Sequence, residues 1–295
     1  MTLRMDLTEE HEIAAADGQR IVARFFAPAG SPTAAVLIVP AMGVVQDYYA
    51  PFATWLAAQG FLAATFDYRG MGLSRTNGLR GFRATVFDWA ELDCAAMIEA
   101  TSMRAPGKPF YWIGHSLGGQ ILAFVPNHGR ISKAVTVATG SGYWRENALA
   151  LRRRAWFLWH VLVPLTVPLF GYFPGKRLHI VGDLPKGVIQ QWRRWCLNPE
   201  YAAGAEGERA RNLYASVKTP IVSLSFTDDE FMSARNTASI HGFYVNAPRT
   251  LKRLAPGDIG VRRIGHFGFF RPAFEETLWR RYLLPELITS RAVAT

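Results

Sequence analysis

A serine between two glycines is the first feature of this 295-residue sequence that could do chemistry. The motif reads Gly-His-Ser-Leu-Gly over residues 114–118, with Ser116 at its centre. An apolar run at 109–114 predicts a strand before it, and the spacing over 117–125 predicts a helix after it. A serine on such a turn projects its hydroxyl beside the backbone N–H groups of a helix N-terminus, which stabilise an anion. We therefore predict a nucleophile; the alternative is a simple helix N-cap.

A nucleophilic serine needs a base, and His266 is the best placed of the seven histidines. It lies in a Gly-His-Phe-Gly loop, after the last predicted strand and just before the terminal helix. A histidine there can take the serine proton and return it to the leaving group. The alternative is a core or loop histidine bonded to a backbone carbonyl. His115 adjoins Ser116 and should point away from it.

The base needs a carboxylate to orient it. A predicted strand at 220–226 runs directly into Thr-Asp-Asp-Glu at 227–230. An acid at the carboxyl end of a parallel strand faces the same sheet edge as the serine motif. Asp229 and Asp228 compete for this role, because one of them can instead cap the following helix. We favour Asp229 as the orienting acid and keep Asp228 as the alternative.

Strands and helices alternate around these residues. The predicted strands are 21–26, 34–39, 61–66, 109–114, 134–139, 220–226 and 250–254, with a hairpin partner at 8–14. The predicted helices are 48–59, 84–103, 117–125, 233–241 and 272–288. This alternation predicts an α/β fold with a mostly parallel central sheet and helices on both faces.

The alternation stops between residues 140 and 215, a region without a strand pattern that holds five of the nine tryptophans. We interpret it as a mainly helical lid inserted after the sixth strand. The predicted division is a first core part at 1–141, a lid at 142–215 and a second core part at 216–295. Within the lid, the apolar run 155–173 is long enough to span a membrane, but it contains two prolines and a histidine. A lid helix or hairpin over an apolar pocket is favoured.

The amino-acid composition limits the structural classes and the kinds of site that remain possible. Hydrophobic residues make up 49% of the chain and charged residues 19%, which predicts a packed globule. Two cysteines, Cys94 and Cys196, are too few for a disulfide-stapled scaffold or a thiolate zinc site. No metal or organic cofactor is expected. The N-terminal stretch MTLRMDLTEEHE carries no apolar signal segment, which predicts a cytoplasmic protein.

The net charge of +10 is concentrated in one segment. Residues 145–194 contain nine Lys or Arg and two acids, so they carry +7 of it. We favour a solvated outer face of the lid. Peripheral contact with an anionic membrane and recognition of an anionic substrate handle, such as a coenzyme A phosphate, are the alternatives. Nucleic-acid binding is not expected, because bulky apolar residues interrupt the charges.

The order Ser116, Asp229, His266 and the serine motif resemble the α/β-hydrolase superfamily, as does Asp-Tyr-Arg-Gly-Met-Gly-Leu-Ser at 67–74. The resemblance covers about residues 1–140 and 216–295. It implies an oxyanion hole formed by two backbone N–H groups. One is that of Leu117, and the other is that of Met42 in the loop after the third strand.

Together these residues predict a serine hydrolase that cleaves a carboxylic ester or thioester with an apolar acyl or alcohol part, through an acyl-enzyme. An acyltransferase using the same triad is the nearest alternative. A non-catalytic or membrane-associated binding protein of this fold is the other. The expected partner is a small-molecule substrate, and the oligomeric state stays open.

Overall fold

The computed structural model describes residues 8–288. The first seven residues of the N-terminal stretch, on which the prediction of a cytoplasmic protein depends, lie outside this range, as do residues 289–295. Within the range the strands are β1 (Thr8–Ala14), β2 (Arg20–Phe26), β3 (Ala35–Val39), β4 (Leu62–Phe66), β5 (Phe110–His115), β6 (Lys133–Val137), β7 (Tyr172–Phe173), β8 (Leu184–Pro185), β9 (Ile221–Phe226) and β10 (Arg249–Leu254).

Eight of these strands form one sheet in the order β1-β2-β4-β3-β5-β6-β9-β10. β2 is antiparallel to both of its neighbours, and all other pairs are parallel. The prediction of a mostly parallel sheet is therefore confirmed. β3, β4, β5 and β9 are buried at every position, as their continuous apolar sequences require. Their carboxyl ends meet at one edge of the sheet.

The helices connect these strands. They are α1 (Ala50–Ala58), α2 (86–104), α3 (Leu117–Gln120), α4 (149–170), α5 (Lys186–Leu197), α6 (Tyr201–Ala205), α7 (Glu208–Ser216), α8 (Ala234–Gly242), α9 (Gly265–Gly268) and α10 (275–288). Short 3₁₀ turns occur at Gln46–Tyr49, Gly72–Ser74, Leu122–Phe124, His128–Arg130, Pro256–Ile259 and Pro272–Phe274. α2, α4 and α10 each contain a π-helical segment.

Aromatic side chains fill a core on each face of the sheet. On one face α1 and α10 meet, and the rings of Phe52 and Trp279 lie 5.0 Å apart. On the other face α2, α5 and α7 pack against the sheet around Trp112, Phe124 and Trp195. Helices therefore cover both faces, as the alternation predicts.

The segment between β6 and β9 contains α4 to α7 and the separate two-stranded pair β7–β8. This small ribbon differs from the prediction, because the sequence shows no strand pattern in this segment. Its strands are two residues long, too short to produce a recognisable alternation. α4 buries one face and exposes several apolar side chains on the rest of its surface. Its buried positions, Ala155, Trp159, Val163 and Val167, recur every four residues and so share one face.

No helix within residues 8–288 is long and apolar enough to cross a membrane. In α4 the two prolines lie on the exposed part of the helix, and Gly171 ends it in a left-handed conformation.

Candidate active site

Ser116 lies between the end of β5 and the start of α3, with φ 50° and ψ −110°. A non-glycine residue adopts positive φ at a cost, so the surrounding structure must enforce it. Both motif glycines are required by close approach of the backbone. A Cβ on Gly114 would lie 2.5 Å from the carbonyl oxygen of Gly118, and one on Gly118 would lie 2.2 Å from that of Val39. The sharp turn thus depends on the absence of side chains at both positions.

Asp229 and His266 form a buried pair. The Nδ1 atom of His266 lies 2.9 Å from Oδ2 and 3.1 Å from Oδ1 of Asp229. Asp229 Oδ1 also accepts hydrogen bonds from the backbone N–H groups of Phe231 and Met232, each 2.8 Å long. Since the carboxylate accepts, Nδ1 of His266 carries the proton and Nε2 presents a lone pair. The pair is therefore arranged for Nε2 to act as a base.

Asp228 has a different environment from its neighbour. Its Oδ2 accepts hydrogen bonds from the backbone N–H groups of Ile264, at 2.8 Å, and Gly265, at 3.1 Å. Glu230 Oε2 accepts from the backbone N–H of His266 at 3.0 Å. These two carboxylates hold the loop that carries the histidine, whereas Asp229 contacts its ring. The sequence gives no indication of the role of Glu230.

The His115 ring joins three loops through its two nitrogen atoms. Its Nε2 lies 3.1 Å from the carbonyl oxygen of His266, so Nε2 donates and Nδ1 accepts. Tyr49 donates to Nδ1 at 2.8 Å, and its hydroxyl accepts from the backbone N–H of Ala41 at 2.9 Å. Burial and the adjacent His266 hold the pKa of His115 well below its usual range. The ring therefore stays neutral, in the single tautomer that these contacts require.

The Ser116 hydroxyl and the His266 imidazole are not joined by a hydrogen bond among the described residues. The neighbour of Ser116 in the chain, His115, contacts the main chain of His266, so the segments that carry the two residues meet. Catalytic hydrogen bonds are often long without a ligand and shorten in the substrate complex.

Several backbone N–H groups in the Met42 loop and at the start of α3 have no acceptor among residues 8–288. Those of Met42 and Leu117, the two positions expected to form an oxyanion hole, are among them. The loop of Met42 and the start of α3 are in contact, as the position of Gly118 against Val39 shows. The N–H groups at a helix N-terminus have no partner within the helix, so that of Leu117 is available to donate to a bound oxygen atom.

An apolar cavity of about 620 Å³ lies next to these residues. Its walls come from α4, α5, the loop before β8 and the loop after β9. Ser116 and His266 do not line it. Phe231 lines the cavity and also contacts the site, since its ring centroid lies 4.8 Å from that of His266. Its volume lies within the range of small-molecule binding sites.

Metal ligands are not grouped near the site. In the described part of the chain, no cluster of three or more His, Cys, Asp or Glu side chains is placed to hold a metal ion. Cys94 and Cys196 are both buried, and burial raises the pKa of each thiol well above its usual value.

Known proteins resemble this chain in sequence and in fold. Over 108 residues it is 30% identical to monoglyceride lipase of Homo sapiens, and the aligned part is 36% of this chain and 34% of that relative. The match thus spans about a third of the relative's length.

Two solved structures share the fold. One is a soluble variant of monoglyceride lipase from Saccharomyces cerevisiae in complex with a substrate analog, with a TM-score of 0.60 and 16% identity over 86% of this chain and 88% of that chain. The other is a thermostable carboxyl esterase from Bacillus coagulans in complex with glycerol, with a TM-score of 0.57 and 15% identity over 84% of this chain and 90% of that one.

The model of the family Hydrolase_4, described as serine aminopeptidase S33, matches residues 30–193, which is more than half of the chain. The matched range contains Ser116 and ends before Asp229 and His266. The fold, the strand-to-helix serine motif and this match agree, and the chain belongs to the serine aminopeptidase S33 family of α/β-hydrolases.

Proposed function

We propose that this protein is a serine hydrolase that cleaves a carboxylic ester or thioester with an apolar acyl or alcohol part. The observation that carries the proposal is the buried Asp229–His266 pair, 2.9 Å apart, next to a serine held at positive φ. In the proposed triad Ser116 is the nucleophile, His266 the base and Asp229 the orienting acid. Asp228 holds the histidine loop and is not the triad acid.

In the first step His266 Nε2 takes the Ser116 proton while the hydroxyl oxygen attacks the substrate carbonyl. The backbone N–H groups of Met42 and Leu117 donate to the oxyanion that forms. His266 then protonates the leaving alcohol or thiol, which departs and leaves an acyl-enzyme. Water, deprotonated by the same imidazole, completes the cycle. Asp229 keeps the proton on Nδ1 throughout, so Nε2 faces the reaction in its basic form.

The apolar cavity supports a substrate with an acyl or alkyl chain. Burial of such a chain stabilises its complex by about 25 cal/mol for each Å² removed from water. The names of the relatives, a monoglyceride lipase and a carboxyl esterase, agree with an ester as the scissile group. An acyltransferase would use the same residues and differ only in preferring an added alcohol or thiol to water.

Labelling with a fluorophosphonate tests the nucleophile without a known substrate. We expect a single adduct on the peptide that contains Ser116, and none in the Ser116→Ala variant. Peptide mass spectrometry reads the site, and circular dichroism confirms that the variant is folded. An adduct on another serine, or none on a folded sample treated with detergent, would reject the triad.

We also propose that residues 142–215 act as a lid and that part of the basic segment 145–194 contacts anionic membrane. Support comes from α4, which exposes Trp156, Phe157, Leu165 and Leu169 and also contains three consecutive arginines at 152–154. Exposed aromatic and basic residues together are typical of interfacial helices. Co-sedimentation with phosphatidylserine vesicles tests this: the protein should pellet at low salt, and Trp156→Ser should weaken the binding. A protein that stays in the supernatant at low salt has no such contact.

A further inference from the structure

The cavity beside the proposed triad has a cationic border. Arg153 and Arg154 line it, and no aspartate or glutamate of the described chain does. Neither arginine forms an ion pair or hydrogen bond within residues 8–288. Other arginines of the basic segment are engaged: Arg152 donates to the carbonyl oxygen of Asn147, and Arg194 pairs with Glu206 at 2.7 Å. The two guanidinium groups at the cavity are therefore available to an anion.

The distance between this border and the proposed reaction centre follows from α4. The backbone N–H of Ala148, the residue before the helix, donates to the carbonyl oxygen of Phe231, which marks the catalytic end. Arg154 lies six residues further along. A helix rises 1.5 Å per residue, so Arg154 is displaced by about 9 Å along the axis. Leu151 lines the cavity between these ends, and the apolar wall continues past Arg154 with Leu158 and Trp159. Trp192 of α5 also belongs to this wall.

One neutral polar group also lines the cavity. Asn147 is 6% exposed, and its Oδ1 has no hydrogen-bond partner among the described residues. Buried amide groups are normally satisfied by protein or bound molecules. The cavity thus combines an apolar wall, an unpaired buried amide and two unpaired guanidinium groups.

We infer that the cavity selects amphiphilic esters that carry an anionic group, a carboxylate or a phosphate, beyond an apolar spacer from the scissile bond. The inference rests on the proposed function and specifies its substrate class. Guanidinium groups bind carboxylate and phosphate through paired, charge-assisted hydrogen bonds. An uncharged ester of the same length packs against the apolar wall, but both guanidinium groups then remain bonded to water. The chain thereby distinguishes two substrates that differ only in their distal group.

Matched 4-nitrophenyl esters test the acyl side. The pair is 4-nitrophenyl octanoate and the mono-4-nitrophenyl ester of octanedioic acid, which differ only in the distal carboxylate. We expect kcat/KM to be roughly fivefold to tenfold higher for the anionic ester at low salt. The preference should shrink as sodium chloride is raised, because salt screens exposed charges.

Octanoylglycerol and octanoylglycerol phosphate form the corresponding pair for the alcohol side. A preference for the anion in either pair supports the inference and assigns the side of the scissile bond. Equal or lower kcat/KM for the anion in both pairs overturns it, while the hydrolysis itself still supports the proposed function.

The double variant Arg153→Gln/Arg154→Gln tests whether these two arginines cause the preference for the anionic ester. The ratio of kcat/KM between anionic and neutral ester should fall to about one in this variant, because both donors to the anion are shortened and uncharged. Lys176→Gln is the control. It removes one positive charge from the same basic segment, outside the cavity, and should leave both the ratio and the neutral activity unchanged. Equal loss of preference in the control would assign the effect to net charge and overturn the cavity assignment.

A binding measurement separates this inference from the hydrolase proposal. Octyl phosphate and octanol are titrated into the Ser116→Ala protein below their aggregation limits. Trp159 and Trp192 line the cavity and report binding through their fluorescence. Tighter binding of octyl phosphate, lost in the Arg153→Gln/Arg154→Gln background, supports the inference even if no ester is hydrolysed. Equal affinity for the two ligands overturns it.

Discussion

Asp228 and Asp229 are adjacent in the chain and bind different parts of the histidine loop. Asp229 contacts the imidazole Nδ1, whereas Asp228 contacts the backbone of Ile264 and Gly265. An asparagine at 229 would donate to Nδ1 through its amide and favour the wrong tautomer of His266. An asparagine at 228 keeps an oxygen that can accept the same backbone bonds.

We therefore expect Asp229→Asn to lower kcat by roughly 10³-fold to 10⁴-fold. Asp228→Asn should lower it by less than about tenfold, because neutral acceptors replace charged ones. Steady-state hydrolysis of 4-nitrophenyl octanoate measures both, with circular dichroism to confirm folding. A larger loss of kcat in Asp228→Asn than in Asp229→Asn would show that Asp228 is the orienting acid.

His241 gives the protein a pH-dependent stability that is independent of the site. Its Nδ1 lies 2.7 Å from the carbonyl oxygen of Thr237, and its Nε2 lies 2.8 Å from the hydroxyl of Thr136. Burial lowers the pKa of His241 to about 4. Between this value and the unfolded pKa of about 6.5, the unfolded chain binds a proton that the folded chain does not. Stability should therefore fall as the pH falls through this interval.

The size of this effect is about 3 kcal/mol between pH 6.5 and 4. His241→Gln removes the titrating group, so the wild type should lose its stability advantage over the variant as the pH falls. Urea unfolding at pH 7 and pH 4.5 measures the free energy of unfolding of both proteins. A difference between them that is the same at both pH values would contradict the prediction.

The sequence predicts those site residues whose chemistry follows from residue type and chain order. Ser116, Asp229 and His266 are of this kind, since each follows a recognisable strand. Tyr49 and Glu230 are not predicted. Tyr49 contacts His115 across 66 residues of chain, and Glu230 contacts the His266 backbone across 36. Neither contact leaves a periodic or local pattern, so only the folded chain reveals it.

At the scale of elements, the strands are predicted well and the helix after Ser116 is not. The spacing of 117–125 predicts one helix, whereas α3 ends at Gln120 and a 3₁₀ turn follows. Two glycines at 118 and 119 weaken the helix. Pro126 disfavours the helical conformation of Val125, which is extended at φ −85° and ψ 116°. Apolar spacing alone overestimates a helix that these residues shorten.

The contact between β3 and α3 supports a prediction at this scale. Gly118→Ala would place a methyl group 2.2 Å from the Val39 carbonyl oxygen, at the carboxyl end of β3. Relief requires β3 and α3 to separate, so we expect a loss of about 1–3 kcal/mol of stability and of fluorophosphonate labelling.

Gly129→Ala is the matched control for this substitution. A Cβ there would meet nothing within 4 Å, so its effect should stay within about 0.5 kcal/mol. Thermal unfolding measures both variants. Equal melting temperatures for the two would show that the close approach at Gly118 is not needed.

At the scale of the whole molecule, side chains of the insertion form part of the hydrophobic core on one face of the sheet. Trp195, Tyr201 and Tyr214 belong to the segment between β6 and β9, yet they are fully buried in the same cluster as Trp112 of β5. The rings of Phe124 and Tyr214 lie 5.2 Å apart. α5 to α7 therefore complete one face of the sheet, while α4 covers the cavity and exposes apolar residues. The sequence predicts where the insertion lies in the chain. It does not predict which of its helices pack on the sheet and which covers the cavity, because that depends on tertiary packing.

We expect a single cooperative unfolding transition as a result. Tryptophan fluorescence reports mainly on the insertion, which holds five of the nine tryptophans. Far-ultraviolet circular dichroism reports on the secondary structure of the whole chain. In urea the two signals should change together, because the insertion cannot unfold without exposing the core. Separate midpoints would show that the insertion is an independent unit.

The order of the proposed triad along the chain has a consequence for biosynthesis. Ser116 emerges from the ribosome long before His266, whose loop requires β9 for Asp228 and Glu230, and β10 and α10 on either side. A nascent or truncated chain that has formed the serine turn still lacks its base. Hydrolytic activity would thus begin only after β9, β10 and the histidine loop have left the ribosome, and it would report that these elements have docked.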